Sequence, residues 1–311
     1  MPLRDCQFLL ANAYMRGYVV EQDLGEALRW YTLAANDGHP VAQTLAGICL
    51  QGKCKNEGDE AAGAKGVQWL ALCSERGDRE AMFYLGQAYL TGRGIAKDEY
   101  RGLHWIKRSA EKGDHAAAYQ LAQFYRDGHL VLKDGVLSKK WYREAAKVGH
   151  LYAAFEMGML CFDDFAGVDK NPQEGMRWLL AAANGGLPEA MRAAGLAYYS
   201  GDGIERNEGE AAKWLGFGAE RGDAMSQFAY GLMMLHGKTD NDVKALLQVE
   251  AILWITKAAV CGGLEDAKRV ANENRELFER LMPGVMDLCR NRAEEGDTQA
   301  QMILDSVKDV E

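Results

Sequence analysis

Apolar and small residues recur along the chain with the spacing of a helix face, and tryptophan is the clearest marker of that recurrence. Trp30, Trp69, Trp105, Trp141, Trp178, Trp214 and Trp254 stand 39, 36, 36, 37, 36 and 40 residues apart and are all the tryptophans of the chain. Three residues before them lie Ala27, Gly66, Gly102, Ser138, Gly175, Ala211 and Ala251. Four after lie Ala34, Cys73, Ser109, Ala145, Ala182, Gly218 and Ala258. Offsets of −3, 0 and +4 share one face of an α-helix, so each copy sets a large ring beside a groove where a second helix can come close. This element is helix B.

Eight residues after every tryptophan stands glycine: Gly38, Gly77, Gly113, Gly149, Gly186, Gly222 and Gly262. Glycine there ends a helix in the left-handed conformation. Seven residues before stand Asp23, Asp98, Asp134, Asn171 and Asn207, whose side chains suit the N-cap. The second and seventh copies lack that cap and predict different entry turns. A second element, helix A, follows each capping glycine and carries a small residue seventeen past the tryptophan, as in Gly47, Gly86, Gly158, Gly195 and Gly231. It ends at Gly17, Gly52, Gly92, Gly128, Gly201 or Gly237, with Asp163–Asp164 in that place in the fifth copy.

One helix pair cannot bury its apolar face, so the pairs must stack. The expectation is an all-α solenoid forming one domain over residues 1–311. Its seven pairs fall at about 5–38, 39–77, 78–113, 114–149, 150–186, 187–222 and 223–263. A degenerate end covers 264–311, where Leu288 stands in place of tryptophan and Thr298–Val310 forms a C-terminal capping helix. The two longer spacings map to insertions at Gly52–Lys65 and Gly237–Glu250, predicted as charged surface loops. Such loops either decorate a binding site or are simply tolerated.

The pattern resembles the Sel-one-like repeat (SLR) family, a branch of the tetratricopeptide-like α/α solenoids. The likeness is carried by Ala190–Ile204 (AMRAAGLAYYSGDGI) and Glu210–Leu215 (EAAKWL), with close copies at Ala81–Ile95 and Asp23–Gly38. The resemblance implies a right-handed superhelix with helices A lining its concave side. It also implies work as a bacterial adaptor in signalling, envelope assembly, secretion or host interaction. Some members are immunity proteins against secreted toxins, and one Cys-rich secreted subgroup has been credited with β-lactam binding or hydrolysis. The paired cysteines of that subgroup are absent here.

Composition narrows the picture further. With 48% hydrophobic residues and only five prolines, the chain can bury a large core and is not disordered. Its net charge of −9, without a basic run, argues against nucleic acid and against anionic membranes. No apolar run approaches the ~18 residues that span a bilayer. Met1–Leu10 has no long apolar stretch and no small-residue cleavage site, so the expected location is cytoplasmic, or periplasmic if a leader has been removed. The seven cysteines (Cys6, Cys49, Cys54, Cys73, Cys161, Cys261, Cys289) show no recurring pair spacing and read as reduced thiols.

Catalytic signals are weak. The histidines (His39, His104, His115, His129, His150, His236) form no zinc-binding spacing. His39 and His150 fall where other repeats put Asp78, Asp114 and Asp223, a capping or solvent position. The loops Gly92–Gly94 and Gly201–Gly203 follow helices, unlike phosphate cradles that follow strands. Asp163, Asp164 and Asp169 lack the ligand rhythm of a calcium loop. A β-lactam-acting enzyme would need Ser-x-x-Lys, and Ser138 is followed directly by Lys139 and Lys140.

The binding surface is the better lead. On helix A, positions 12, 16, 17 and 20 past the tryptophan face the stack, which turns 14, 15, 18 and 22 outward. Position 14 reads Thr44, Phe83, Tyr119, Phe155, Arg192, Phe228, and position 18 reads Ile48, Gln87, Gln123, Met159, Leu196, Leu232. Rings, arginine and aliphatic residues on a face turned to water suggest a partner surface of Phe83, Gln87, Tyr119, Gln123, Phe155, Met159, Arg192, Leu196, Phe228 and Leu232. The same rings could instead pack against the adjacent helix A or mediate self-association, and all three readings stand at this point. The expected function is a non-catalytic scaffold, monomeric and without cofactors, that holds a protein or peptide in its concave groove. An immunity protein plugging a basic toxin is the alternative, and a β-lactam-acting enzyme a remoter one.

Overall fold

The computed structural model describes residues 2–162, 167, 169–236 and 241–308, with side chains described for all of these except 241–247 and 307–308. The described residues hold seventeen α-helices and no strand. Seven helix pairs follow in chain order: α1 (Leu3–Arg16) with α2 (Leu24–Asn36), α3 (Pro40–Glu57) with α4 (Glu60–Glu75), α5 (Arg79–Thr91) with α6 (Glu99–Glu111), α7 (His115–Asp127) with α8 (Gly135–Lys147), α9 (Leu151–Leu160) with α10 (Pro172–Asn184), α11 (Pro188–Ser200) with α12 (Glu208–Glu220), and α13 (Ala224–His236) with α14 (Asn241–Val260). Then come α15 (Glu265–Glu273), α16 (Arg275–Glu294) and α17 (Thr298–Lys308). This is the all-α repeat solenoid that the tryptophan spacing predicts. Its contacts fall into two compact units, Met1–Ala153 with Phe165–Val168 and Ala154–Asp164 with Asp169–Glu311.

The local signals act as their chemistry requires. Asp23, Asp98, Asp134, Asn171 and Asn207 each accept a backbone N–H in the first turn of a helix B. Gly38, Gly77, Gly113, Gly149, Gly186 and Gly222 all have φ between 78° and 96°. The small residue of helix A permits a backbone crossing: a Cβ on Gly86 would lie 2.9 Å from Ile106 and 3.1 Å from the Gly102 carbonyl. Position 12 is sealed in the stack, with Ala42, Ala81, Ala117, Ala153, Ala190 and Ser226 all fully buried. The indoles are half-buried or buried, with a cation over the ring in several copies, such as Lys65 at 5.0 Å from the Trp69 centroid.

Two local expectations need correction. The insertion at Gly52–Lys65 is not a loop. Helix α3 runs through Gly52 to Glu57, and only Gly58 and Asp59 separate it from α4. The reason is that Gln51–Glu57 contains no proline, and a lone glycine in a helix costs only ~1 kcal/mol. The second copy, which lacks an Asp or Asn seven before its tryptophan, does have a different entry turn: its cap is Asp59, ten before Trp69, which accepts the N–H of Ala62 at 2.9 Å. After α14, the left-handed residue is Gly263 (φ 63°) rather than Gly262. The insertion at Gly237–Glu250 falls largely outside the described residues or side chains, as do Asp163 and Asp164.

The C-terminal segment of the second unit departs from the hairpin pattern. Only Asn274 separates α15 from α16, and the two barely touch. Helix α16 packs instead on α14, and α17 folds back beside it after Gly296 (φ 94°). Ile252, Leu253 and Ile255 form one core with Phe278, Val285, Cys289, Ala300 and Ile303, and Leu288 packs against it where the indole would stand. Lys257, almost wholly buried, is paired with Asp297, which also caps α17 by accepting from Gln299 and Ala300. Burial raises the Asp297 carboxyl, but the Lys257 ammonium and those two amides outweigh it and hold it below the ordinary aspartate range.

Candidate functional site

The outward positions of helix A behave differently in the two units. In the first, they fasten one repeat to the next. The Thr44 hydroxyl donates to Asp78 at 2.8 Å, and Asp78 in turn caps α5 by accepting from Glu80 and Ala81. Tyr119 stacks on the imidazole of His150 with centroids 4.6 Å apart. His150 Nδ1 accepts the N–H of Ala153 at 3.1 Å, so this histidine is a helix cap. Burial first, and the charge of nearby His115 second, push its pKa below the usual histidine range. Gln87 donates to Gln120 at 2.5 Å, joining position 18 of one helix A to position 15 of the next. Phe83 is half-buried and meets Tyr84 edge-on, and Gln123 is half-buried.

In the second unit, position 14 is again engaged. Arg192 pairs with Asp223 at 2.5 Å, and Asp223 accepts from the N–H and hydroxyl of Ser226. Phe155 is half-buried, while Phe228 and Leu232 pack against the C-terminal core. At position 18, Met159 and Leu196 differ from Leu232 in remaining 41% and 42% exposed. Between α11 and α13 lies a mostly apolar pocket of about 240 Å³, lined by Leu196, Tyr199, Leu215, Ala229, Leu232, Met233 and His236. Of the ten residues singled out from sequence, Leu196 and Leu232 line this pocket and the other eight do not. Ala229 and His236 sit at the outward positions 15 and 22, so the same face arithmetic already pointed at them. Tyr199, Met233 and the floor residue Leu215 carried no such signal.

Groups that would serve chemistry are occupied structurally. His39 Nδ1 accepts from Ala42, as His150 does from Ala153. Ser138 is fully buried and its hydroxyl donates to the Ala122 carbonyl at 2.9 Å. Among the described residues no cluster of three or more His, Cys, Asp or Glu side chains could hold a metal ion. No described helix is long and apolar enough to cross a membrane.

Comparison with known proteins agrees with this geometry. The profile of the Sel1 repeat matches residues 4–39, 79–114, 115–150, 151–187, 188–223 and 224–262. The matched segments pass over 40–78, the pair lengthened by the long α3. No curated protein sequence matches the chain. Among solved structures, a protective antigen present in uropathogenic Escherichia coli strains and displaying an SLR fold superposes on 96% of this chain, at TM-score 0.72 and 24% identity. The chain spans 62% of that protein's length. A Sel1 repeat protein from Oxalobacter formigenes superposes on 87% of the chain and 76% of its own length, at TM-score 0.65 and 24% identity. Both similarities concern the fold. An immunity protein from Pseudomonas aeruginosa covers 61% of the chain and 74% of its own at 19% identity, but its TM-score of 0.34 is too low to support any functional comparison.

Proposed function

The chain belongs to the Sel1 repeat family, and on that footing we propose that it is a non-catalytic scaffold that binds a protein or peptide on the outward face of its helices A, within the second unit. The observation that carries this reading is the exposure of Met159 and Leu196 at the same repeat position, Leu196 also lining an apolar pocket. Large apolar side chains that stay more than a third exposed at a recurring position leave apolar area that a partner can bury. In the first unit Gln87 at this position bonds to Gln120 of the next helix A and Ile48 packs against a buried core cluster, so these two residues add rigidity rather than contact surface.

The test is capture of a partner from a lysate of the source organism by tagged protein, followed by mass spectrometry. Met159→Ser together with Leu196→Ser lowers the yield of the specific partner at least tenfold while helicity is unchanged. Undiminished capture by that double variant would remove the helix-A face from the account.

A further inference from the structure

The indoles of helix B are not all anchored alike. In the first copy Trp30 Nε1 donates to the Glu26 carboxylate at 3.1 Å, and in the sixth Trp214 Nε1 donates to Glu210 at 3.1 Å. Each glutamate stands four residues before its tryptophan and also pairs at 3.2 Å with the cation over that ring, Arg29 or Lys213. Residues four apart share one face of a helix, so the carboxylate closes a unit of indole, cation and acid. In the second and third copies the acid is replaced. A base stands four before the indole, Lys65 before Trp69 and Arg101 before Trp105.

That reversal leaves donors and positive charge without an acceptor. Among the described residues the indole N–H of Trp69 and that of Trp105 have no hydrogen-bond partner, and neither nitrogen is shut off from solvent. The Lys65 ammonium lies 5.0 Å from the Trp69 centroid and the Arg108 guanidinium 5.3 Å from that of Trp105. Both cations are exposed, and no described carboxylate pairs with either. Arg101 does meet Asp98, the cap of its own helix, at 3.3 Å. The exposed Glu75 and Glu111 stand ten residues beyond Lys65 and Arg101, which is ~15 Å along each helix. The two indoles are neighbours, because α4 and α6 are successive helices B of the first unit with α5 packed against both.

We propose that α4 and α6 together bind an acidic peptide segment of a partner, two of whose carboxylates take the indole N–H groups of Trp69 and Trp105. They fill the places that Glu26 and Glu210 fill in their own copies, and those copies define the occupant's chemistry. Lys65 and Arg108 supply the complementary charge. Neighbouring helices stand ~10–12 Å apart. A polyproline II segment turns every third side chain to one face with a rise of ~3.1 Å per residue, so acids three residues apart reach both sites. A nucleic acid fits less well. The net charge of −9 repels a phosphate chain, and each indole is half-buried with a cation over it, which leaves no platform for a base. This face belongs to helices B of the first unit and stands independently of the helix-A surface.

The test follows the indole N–H resonances of the full chain labelled with ¹⁵N-tryptophan, assigned by replacing one tryptophan at a time with phenylalanine. The probe is a capped nonapeptide of glycine and proline with glutamate at its third and sixth positions, in about 20 mM salt, where surface charges are little screened. It shifts the Trp69 and Trp105 resonances saturably and leaves those of Trp30 and Trp214 in place. The same peptide with glutamine for glutamate binds at least roughly fivefold more weakly. Lys65→Glu with Arg101→Glu rebuilds the acid of the first and sixth copies, so it moves the same two resonances without peptide and weakens binding at least roughly tenfold. Lys65→Gln with Arg108→Gln, which adds no internal acid, weakens binding roughly three- to tenfold. Lys213→Gln removes a ring-borne cation that is already paired, and changes binding by less than about twofold. The proposal is overturned by the lack of a saturable shift, by equal shifts of Trp30 and Trp214, by equal binding of the glutamine peptide, or by binding that survives Lys65→Glu with Arg101→Glu. It is also overturned if a twelve-nucleotide oligothymidine shifts the same two resonances at lower concentration than the peptide, since the face then serves nucleic acid.

Discussion

Two pairs of facing residues in the same repeat geometry end up doing opposite things. Gln87 and Gln120 in the first unit close the space between neighbouring helices A with a hydrogen bond, while Leu196 and Ala229 in the second leave it open and apolar. Position 14 shows the converse, because Thr44 and Tyr119 in the first unit and Arg192 in the second all reach the capping residue of the next helix A. A repeat protein thus separates two tasks along one helix face. One row of positions holds the register of the stack in both units, and another does so only where its residues pair across the repeats.

The largest expected effect tests whether the second unit can be loosened alone. Asp297→Ala removes the partner of a buried ammonium as well as a helix cap. Leaving Lys257 uncompensated costs ~3–5 kcal/mol. Hydrogen exchange reads this as faster exchange through α14, α16 and α17, with α1–α8 unaffected. Lys257→Met combined with Asp297→Asn recovers most of the loss, since an apolar replacement for a buried pair is close to neutral. Equal acceleration in both units would show that they unfold as one.

A smaller effect comes from exchanging the facing pairs. Gln87→Leu with Gln120→Ala destabilises the first unit by ~2 kcal/mol, through a lost side-chain bond and a new cavity. Leu196→Gln with Ala229→Gln closes the pocket of the second unit and changes its stability by less than ~1 kcal/mol. Calorimetry checks both, and a first-unit variant as stable as the parent would show that the Gln87–Gln120 bond does not hold the register of the stack.

These pairs also mark how far the sequence could be read. The tryptophan ladder, the cap residues and the terminal glycines are local signals, each acting within its own turn, and the structure follows them closely. Contacts between repeats are set by two residues about 31–34 positions apart, so reading them needs the repeat register first and the partner's identity second. Thr44 looks exposed until Asp78 is seen to be the next cap. The pocket was less legible still. A cavity is a deficit of volume, and Ala229 announces nothing until Tyr84 and Gln120 are set beside it at the same position. The helix through Gly52 was missed for the opposite reason, because a glycine at a helix-end position looks like a stop even when the residues after it continue the helix.

The smallest effect concerns the stacked cap of the first unit. His150 holds the N–H of Ala153 with an unprotonated Nδ1 and lies against Tyr119, and its pKa is depressed in the fold by burial and by the charge of His115. A depressed histidine stabilises the fold in its neutral form. That contribution is complete above the unfolded value of about 6.5 and is lost as pH falls through the lower folded value. Protonation removes the cap acceptor, which is worth ~1 kcal/mol. The melting temperature of the first unit therefore drops on going from pH 7.5 to 5.5. His150→Asn keeps an acceptor at the cap but cannot titrate, so its melting temperature changes less over the same interval. The corresponding cap of the second unit is Asp223, a carboxylate bound to Arg192. If both units lose stability equally and His150→Asn does not change the difference, the acid sensitivity lies elsewhere, and the stacked histidine is only one more contact in the register of the repeats.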